Sequence, residues 1–244
     1  MKFRPALTFS LVLLISCSSP EKPKEESSVP TKKDSLVSEK DTFCIGNKLF
    51  YVEQISKADF DKIPAPAGED TSEVNVLLRD SLYAFRLGTV LVLNMGDKLD
   101  QSLSFKDNNN EGTEEFCNFS YRGFFPEINQ HLVYATFIES FTHYLIDKNT
   151  ADTNYACGYP VFSPSKKHFI CGNTDLIARF VVNGFDLYEA NKGKIKLVGR
   201  RELDSWGPES IKWVNDSVLF VQRNVSDTTV EGMIRTDYVK LLMK

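Results

Sequence analysis

Few residues in this chain have types and spacing that could do chemistry. Its three histidines, His131, His143 and His168, all fall inside segments with strand character. No His-x-x-x-His, Cys-x-x-Cys or Gly-x-Ser-x-Gly element accompanies them, so the spacing offers neither a zinc site nor a nucleophile elbow. His131 and His168 hold the same place in two copies of a repeat set out below, which favours a structural role. No catalytic residue, metal or cofactor is expected. Asp147, Asn215 and Asp216 sit at turns; those residue types serve turns first, and a calcium site would need several oxygens converging. Glu127, Glu139 and Glu209 are carboxylates suited to hydrolysis, provided the fold held two of them about 5 to 10 Å apart. Aromatic rings beside glycines stand ahead of each repeat, in Tyr121-Arg122-Gly123, Gly158-Tyr159-Pro160 and Trp206-Gly207-Pro208. Tyr121, Tyr159 and Trp206 are therefore expected at one end of the sheet array, where rings of this kind form ligand-binding surfaces. The competing reading packs the rings between neighbouring sheets, with glycine letting backbones come close.

Cys17 has a more specific setting. It follows Lys2, Arg4 and an apolar run from Ala6 to Ile15 broken only by Thr8 and Ser10. A transmembrane helix needs about 20 apolar residues and a secretory signal only about 7 to 15, so the run has the length of a signal peptide. Leu14-Ile15-Ser16-Cys17 resembles the lipobox of bacterial lipoproteins. The resemblance implies a signal peptide over residues 1–16, diacylglycerol on the Cys17 thiol, and cleavage just before it. An exported chain is then expected, held to the cell envelope by lipid, at the outer membrane on its periplasmic face or at the cell surface.

Residues 17–41 have almost nothing to bury, being rich in serine, Lys and Glu with Pro20, Pro23 and Pro30 among them. This composition makes a disordered, lipidated tether with an end-to-end reach of about 25 to 30 Å. The acidic Glu25 and Glu26 resemble the surface-export tags of some Bacteroidota lipoproteins; a plain tether is the simpler reading. Loss of Lys2 and Arg4 with the signal leaves the chain more acidic than its formal charge of −4. With no basic stripe, nucleic acid is excluded as a partner.

Residues 42–244 are expected to form one β-rich domain. Strand character is clear at Lys48 to Ile55, Ser81 to Leu87, Val90 to Asn94, His131 to Phe137 and His143 to Ile146. It returns at His168 to Cys171, Phe185 to Glu189, Ile195 to Val198, Val218 to Gln222 and Asp237 to Met243. Helix signals are confined to Ser56 to Ile63, with Ser56 as the cap. Phe124 to Tyr134, Val161 to Ile170 and Ile211 to Val221 overlay as three copies of strand, polar turn and strand, set 37 and then 50 residues apart. Those intervals bracket the length of a four-stranded propeller blade, roughly 40 to 50 residues. Repeat units are placed near 121–157, 158–203 and 206–244.

Phe162-Ser163-Pro164-Ser165-Lys166-Lys167 resembles the strand-turn-strand element of TolB-like and WD-type propeller repeats, with Ser165-Lys166 where the usual turn has Asp-Gly. Trp213-Val214-Asn215-Asp216-Ser217 resembles a variant of it. From Tyr121 to Lys244 the chain is also similar to uncharacterised Bacteroidota lipoproteins, through Gly123-Phe124-Phe125-Pro126, Pro160-Val161-Phe162-Ser163-Pro164 and Trp206-Gly207-Pro208. That likeness implies no activity. The expected fold is all-β: a small or irregular propeller-like array of antiparallel meanders, with a β-sandwich as the alternative. Ser81 to Asn94 supplies a hairpin of a degenerate first unit. The last repeat lacks an outermost strand, and Leu49 to Gln54 is the unclaimed candidate to pair with Tyr238 to Leu242.

Four further cysteines, Cys44, Cys117, Cys157 and Cys171, make an even number in an exported domain and suggest two disulfides. Folding the hairpin about Ser165-Lys166 brings Cys157 near Cys171, and Cys44 with Cys117 follows by elimination; free buried thiols are the alternative. The functional expectation is a membrane-anchored envelope lipoprotein, a non-enzymatic binding or structural module whose partner is an envelope protein or glycan. A propeller-like hydrolase or carbohydrate-active enzyme is the alternative. The anchor is testable: Cys17→Ala should abolish incorporation of labelled fatty acid and block the lipoprotein-specific cut. A variant that still takes up label and still partitions with membranes would refute it.

Overall fold

The computed structural model describes residues 41–98, 100–110, 113–229 and 233–244. The expected signal peptide, Cys17 and all of the tether except Asp41 lie outside the described residues. In chain order the elements are β1 (Thr42–Ile45), β2 (Lys48–Gln54), α1 (Lys57–Asp61), α2 (Glu73–Arg79), β3 (Ala84–Leu87), β4 (Val90–Met95) and β5 (Gln101–Lys106). Then come β6 (Asn118–Phe125), β7 (Gln130–Thr136), β8 (Phe141–Asp147), β9 (Thr153–Ala156), β10 (Val161–Phe162) and β11 (His168–Asn173). The chain ends with β12 (Gly184–Asn191), β13 (Lys194–Glu202), β14 (Trp206–Asn215), β15 (Val218–Ser226) and β16 (Ile234–Met243). These strands make four antiparallel sheets: sheet 1, β3-β4-β5; sheet 2, β6-β7-β8-β9; sheet 3, β10-β11-β12-β13; and sheet 4, β14-β15-β16-β2-β1. The protein is all-β and propeller-like, and each of the three overlaid repeats is the first hairpin of a sheet.

Side-chain alternation explains how the sheets stack. Successive residues of a strand point to opposite faces. In β4, Leu91, Leu93 and Met95 are buried while the residues between them are not, so sheet 1 covers one face. In β7, Leu132 and Val133 are both fully buried but join different cores. Leu145 and Ile146 divide in the same way, as do Phe169 and Ile170, and Leu187 and Tyr188. Sheets 2 and 3 therefore bury both faces. Three cores result: sheet 1 with sheet 2, around Leu93 and Val133; sheet 2 with sheet 3, around Leu132 and Phe169; and sheet 3 with sheet 4, around Phe185 and Leu241.

No such core joins sheet 4 back to sheet 1 among the described residues. Instead α1 lies on sheet 4, with the Phe60 ring 5.1 Å from that of Tyr238. The buried Lys212 ammonium sits over the Phe60 ring and donates to the carbonyls of Phe60 and Ile63. As expected, Ser56 caps α1, accepting from the Asp59 N–H at 3.1 Å. The chain then runs from sheet 4 to α2, which packs on β3 and β6 and buries Val76 in the first core.

The closure expected of the chain ends is present. β2 adds to β16 in antiparallel register, Gln54 opposite Val239 through Phe50 opposite Met243, and β1 adds to β2. The edge of β16 is thereby paired rather than exposed. The turn of this added hairpin rests on sheet 3 through backbone alone. Gly46 has φ +57°, and a Cβ there would fall into the carbonyl of Val198, the residue bulged out of the β12–β13 register. Phe43, Ile45 and Phe50 enter the third core from this hairpin.

The two expected disulfides are corrected by the structure: Cys44, Cys117, Cys157 and Cys171 are free thiols. The hairpin register is as anticipated, with Val161 opposite Ile170. However, an Asp186 carboxylate oxygen takes the Cys157 N–H at 2.8 Å, and the Cys157 thiol donates to the Cys171 carbonyl at 3.4 Å rather than meeting its sulfur. Burial pushes both thiols well above their ordinary value. Cys44 pairs with Leu49 in sheet 4, whereas Cys117 bridges Asn108 just ahead of sheet 2.

Because Phe50 is fully buried in the third core, Phe50→Ala should cost about 3 to 5 kcal/mol by denaturant unfolding. Amide exchange should speed up at Tyr238 to Leu242 more than at Val90 to Met95. Equal acceleration of both strands would mean that the added hairpin does not hold sheet 4 in particular.

Candidate functional site

The residues nominated for hydrolysis do not converge. Glu127, Glu139 and Glu209 are all exposed, the first two on turns of sheet 2 and the third on β14. Glu127 is tied to Lys166, which holds its carboxyl below the usual range, and Glu209 accepts from Asn224. Asp175, Glu202 and Asp204 border a shallow cleft of about 170 Å³. Asp175 is engaged there by the N–H groups of Arg179, Phe180 and Val181. Burial alone would raise its pKa, but these donors bring it below the ordinary value.

The three nominated rings have separate fates. Tyr121 is fully buried in the first core, its hydroxyl 3.5 Å from an Asp80 oxygen; burial pushes that hydroxyl far up. Trp206 packs edge-on against Phe43 and Phe185 in the third core, with the Arg223 guanidinium over its ring, and borders a cleft of about 210 Å³. Only Tyr159 reaches the larger cleft described next. A common binding end for all three rings is thus corrected, and packing between sheets accounts for Tyr121 and most of Trp206.

That larger cleft, about 390 Å³, opens between sheets 2 and 3. Arg122 on β6, Tyr134 on β7, and Phe141 and His143 on β8 line it from sheet 2. Tyr159 and Asn173 line it from sheet 3, and Gly158 and Gly172 form its floor. A Cβ on Gly158 would collide with the Gly172 carbonyl, so the two backbones come this close only because Gly158 lacks a side chain, while a Cβ on Gly172 would press on Pro208 and Ile211 of sheet 4. The remaining wall is Glu69 and Thr71, from the segment between α1 and α2.

Charge is concentrated in this cleft. The Arg122 side chain is 10% exposed and that of His143 is 5% exposed. Arg122 Nε lies 3.0 Å from Glu69 Oε1, and Nη1 donates to the Thr71 carbonyl at 2.6 Å. His143 Nε2 is 3.5 Å from the same Glu69 oxygen. Despite these contacts Arg122 Nε and His143 Nδ1 make no hydrogen bond. The Arg122 guanidinium stacks 5.0 Å over the Tyr134 ring, and the Tyr134 and His143 rings are also 5.0 Å apart. Burial first, and then the Glu69 carboxylate, push the Tyr159 hydroxyl up, which keeps it a donor. Aromatic walls with a few buried polar atoms aimed inward are the usual make-up of a small-ligand site.

No family model, curated protein or solved structure matches the chain. What the cleft does must follow from its own chemistry.

His143 is the histidine that the sequence did not single out. It lacks the repeat-equivalent place shared by His131 and His168, and that difference was the available signal. His131 is fully buried among the rings of Tyr83, Tyr121 and Phe124, and His168 is half-buried. Burial lowers His131 from 6.5 to about 4, so it folds as the neutral imidazole. The unfolded chain takes up this proton first as pH falls, so stability is full above pH 6.5 and declines towards pH 4. The loss should reach about 3 kcal/mol. Denaturant titrations from pH 7.5 to 4 should show this slope, and His131→Leu should remove it; an unchanged slope in the variant would place the titrating group elsewhere.

Proposed function

We propose that the chain is a lipid-anchored envelope protein whose β-array is a non-enzymatic binding module, with the cleft between sheets 2 and 3 as its ligand site. One observation carries the reading: the deeply buried Arg122 guanidinium and His143 imidazole share a single carboxylate, Glu69, in an aromatic-walled cleft, and His143 Nδ1 has no hydrogen-bond partner. A buried polar group left unpaired costs about 1 to 3 kcal/mol. Buried groups that depend on one carboxylate from a neighbouring segment mark a place where a ligand can supply the missing partner. The anchoring half of the proposal rests on Leu14-Ile15-Ser16-Cys17 and the short apolar run before it. A tether after Cys17 would carry the cleft clear of lipid headgroups.

Binding is favoured over hydrolysis because, among the described residues, Glu69 is the only carboxylate in the cleft wall, and it is occupied by Arg122. General acid and base work on a glycosidic bond needs two. An envelope glycan suits the site better than a protein partner, since the opening is concave and small. The full-length chain should therefore deplete one fraction from a pool of envelope glycans. Phe141→Ala, at the end of a strand and only partly buried, should weaken that capture at least about tenfold with little change in melting temperature. Undiminished capture by this variant would remove the cleft as the site.

A further inference from the structure

Both partners of the Arg122 guanidinium come from one short strap. Glu69 supplies the carboxylate and Thr71 the carbonyl, and they belong to Ile63-Pro64-Ala65-Pro66-Ala67-Gly68-Glu69-Asp70-Thr71-Ser72, which joins the two helices. Residues 64–68 of the strap are exposed and in neither helix nor strand. Two prolines deprive it of N–H groups that could enter a ladder. Glu69 thus reaches into the cleft from a weakly secured segment and sits where an anion would sit, against Arg122 and His143. Lifting the strap with nothing in its place would strand a guanidinium that is nine-tenths buried, which is costly. An incoming anion removes that cost. We infer that the cleft binds a uronic acid residue of an acidic glycan, whose carboxylate takes the place of Glu69 on Arg122.

This inference rests on the cleft being the ligand site and adds the ligand's charge and shape. A planar guanidinium whose Nε already meets a carboxylate oxygen at 3.0 Å suits another carboxylate, which it can grip through two parallel bonds once Glu69 withdraws. Tyr134, Phe141 and Tyr159 offer flat apolar faces to a sugar ring, and Asn173 offers an amide to its hydroxyls. A peptide with a free C-terminus shares the carboxylate but would also need strand-edge donors. The free edge of β6 does not offer them: the N–H groups of Phe119, Tyr121 and Phe124 already donate to Asp107, Glu73 and Asp80 at 2.9, 2.7 and 2.9 Å. The sugar acid is therefore the better fit.

The test uses the full-length chain with ¹³C-labelled histidine and three probes: trigalacturonate, its methyl ester, and acetyl-alanyl-phenylalanine as a peptide acid. Trigalacturonate should shift the His143 ring signals and leave those of the buried His131 in place. Glu69→Gln, a change on the exposed strap that spares the core, should tighten trigalacturonate binding about tenfold by removing the internal competitor and leave the methyl ester unchanged. Arg122→Gln should abolish the response. Equal binding of acid and ester at His143 would overturn the uronate assignment while leaving the cleft a ligand site, and stronger binding of the peptide acid would do the same. If none of the three moves His143 in either the wild type or Glu69→Gln, the inference fails; should Phe141→Ala also leave glycan capture intact, the cleft itself fails with it.

Discussion

In β7 the adjacent residues Leu132 and Val133 are both shielded from water, one on each side of sheet 2. A strand with two apolar faces cannot end a stack; each face needs another sheet over it. The same demand from Phe169 and Ile170, and from Leu187 and Tyr188, applies to sheet 3. Two consecutive two-faced sheets force at least four layers, and the outer pair must be one-faced. The alternating burial of β4 meets that condition at one end. At the other, sheet 4 turns apolar residues towards sheet 3 and carries α1 through Phe60 and Lys212.

Polar groups then gather where the layers cannot cover the backbone. The free edge of β6 is the main case, and carboxylates from three places cap it. Arg86 of β3 grips two of these acids, Glu73 and Asp107, and also donates to the Phe119 carbonyl. Their charge raises its pKa against the opposing pull of burial. Sheet 1, α2 and sheet 2 are thereby locked by a network whose every acid has a stated partner. Arg122, one residue beyond Tyr121 on that strand, faces the opposite way into the cleft and lacks such a settlement. The contrast between the satisfied Arg86 and the half-satisfied Arg122 separates scaffold from site.

Much of the scaffold was legible in the sequence. The apolar runs Val90 to Met95 and Asp237 to Met243 read as strands, though only the structure shows that alternate residues are buried, and the three overlaid hairpins announce sheets 2, 3 and 4. Missing were β5, whose Gln101-Ser102-Leu103-Ser104 is too polar to stand out, and β1 and β9, each at four residues too short. Helix α2 escaped because Val74 and Val76 are poor helix formers and only Val76 is buried. An even cysteine count suggested bridges, but parity says nothing about where a thiol points. The cleft was illegible for a different reason. Arg122 and His143 belong to separate strands, and Glu69 lies in a proline- and glycine-bearing stretch that has the composition of a linker. Proximity across sheets is a property of the stack, and no spacing in the chain encodes it.

The pairing of β2 with β16 joins segments near opposite ends of the described chain, and this bears on the order of assembly. β2 precedes its partner β16 by nearly the whole of the described residues. Closing a loop of roughly 190 residues costs about 4 to 5 kcal/mol of chain entropy before any contact forms. Sheets 1, 2 and 3 and the β14–β15–β16 meander draw on strands near in sequence and can form before that closure, whereas the pairing of β2 with β16 comes later. Until then β2 is paired on one side alone, by β1. A chain that lacks β16 would therefore present an open β edge on the β1–β2 hairpin.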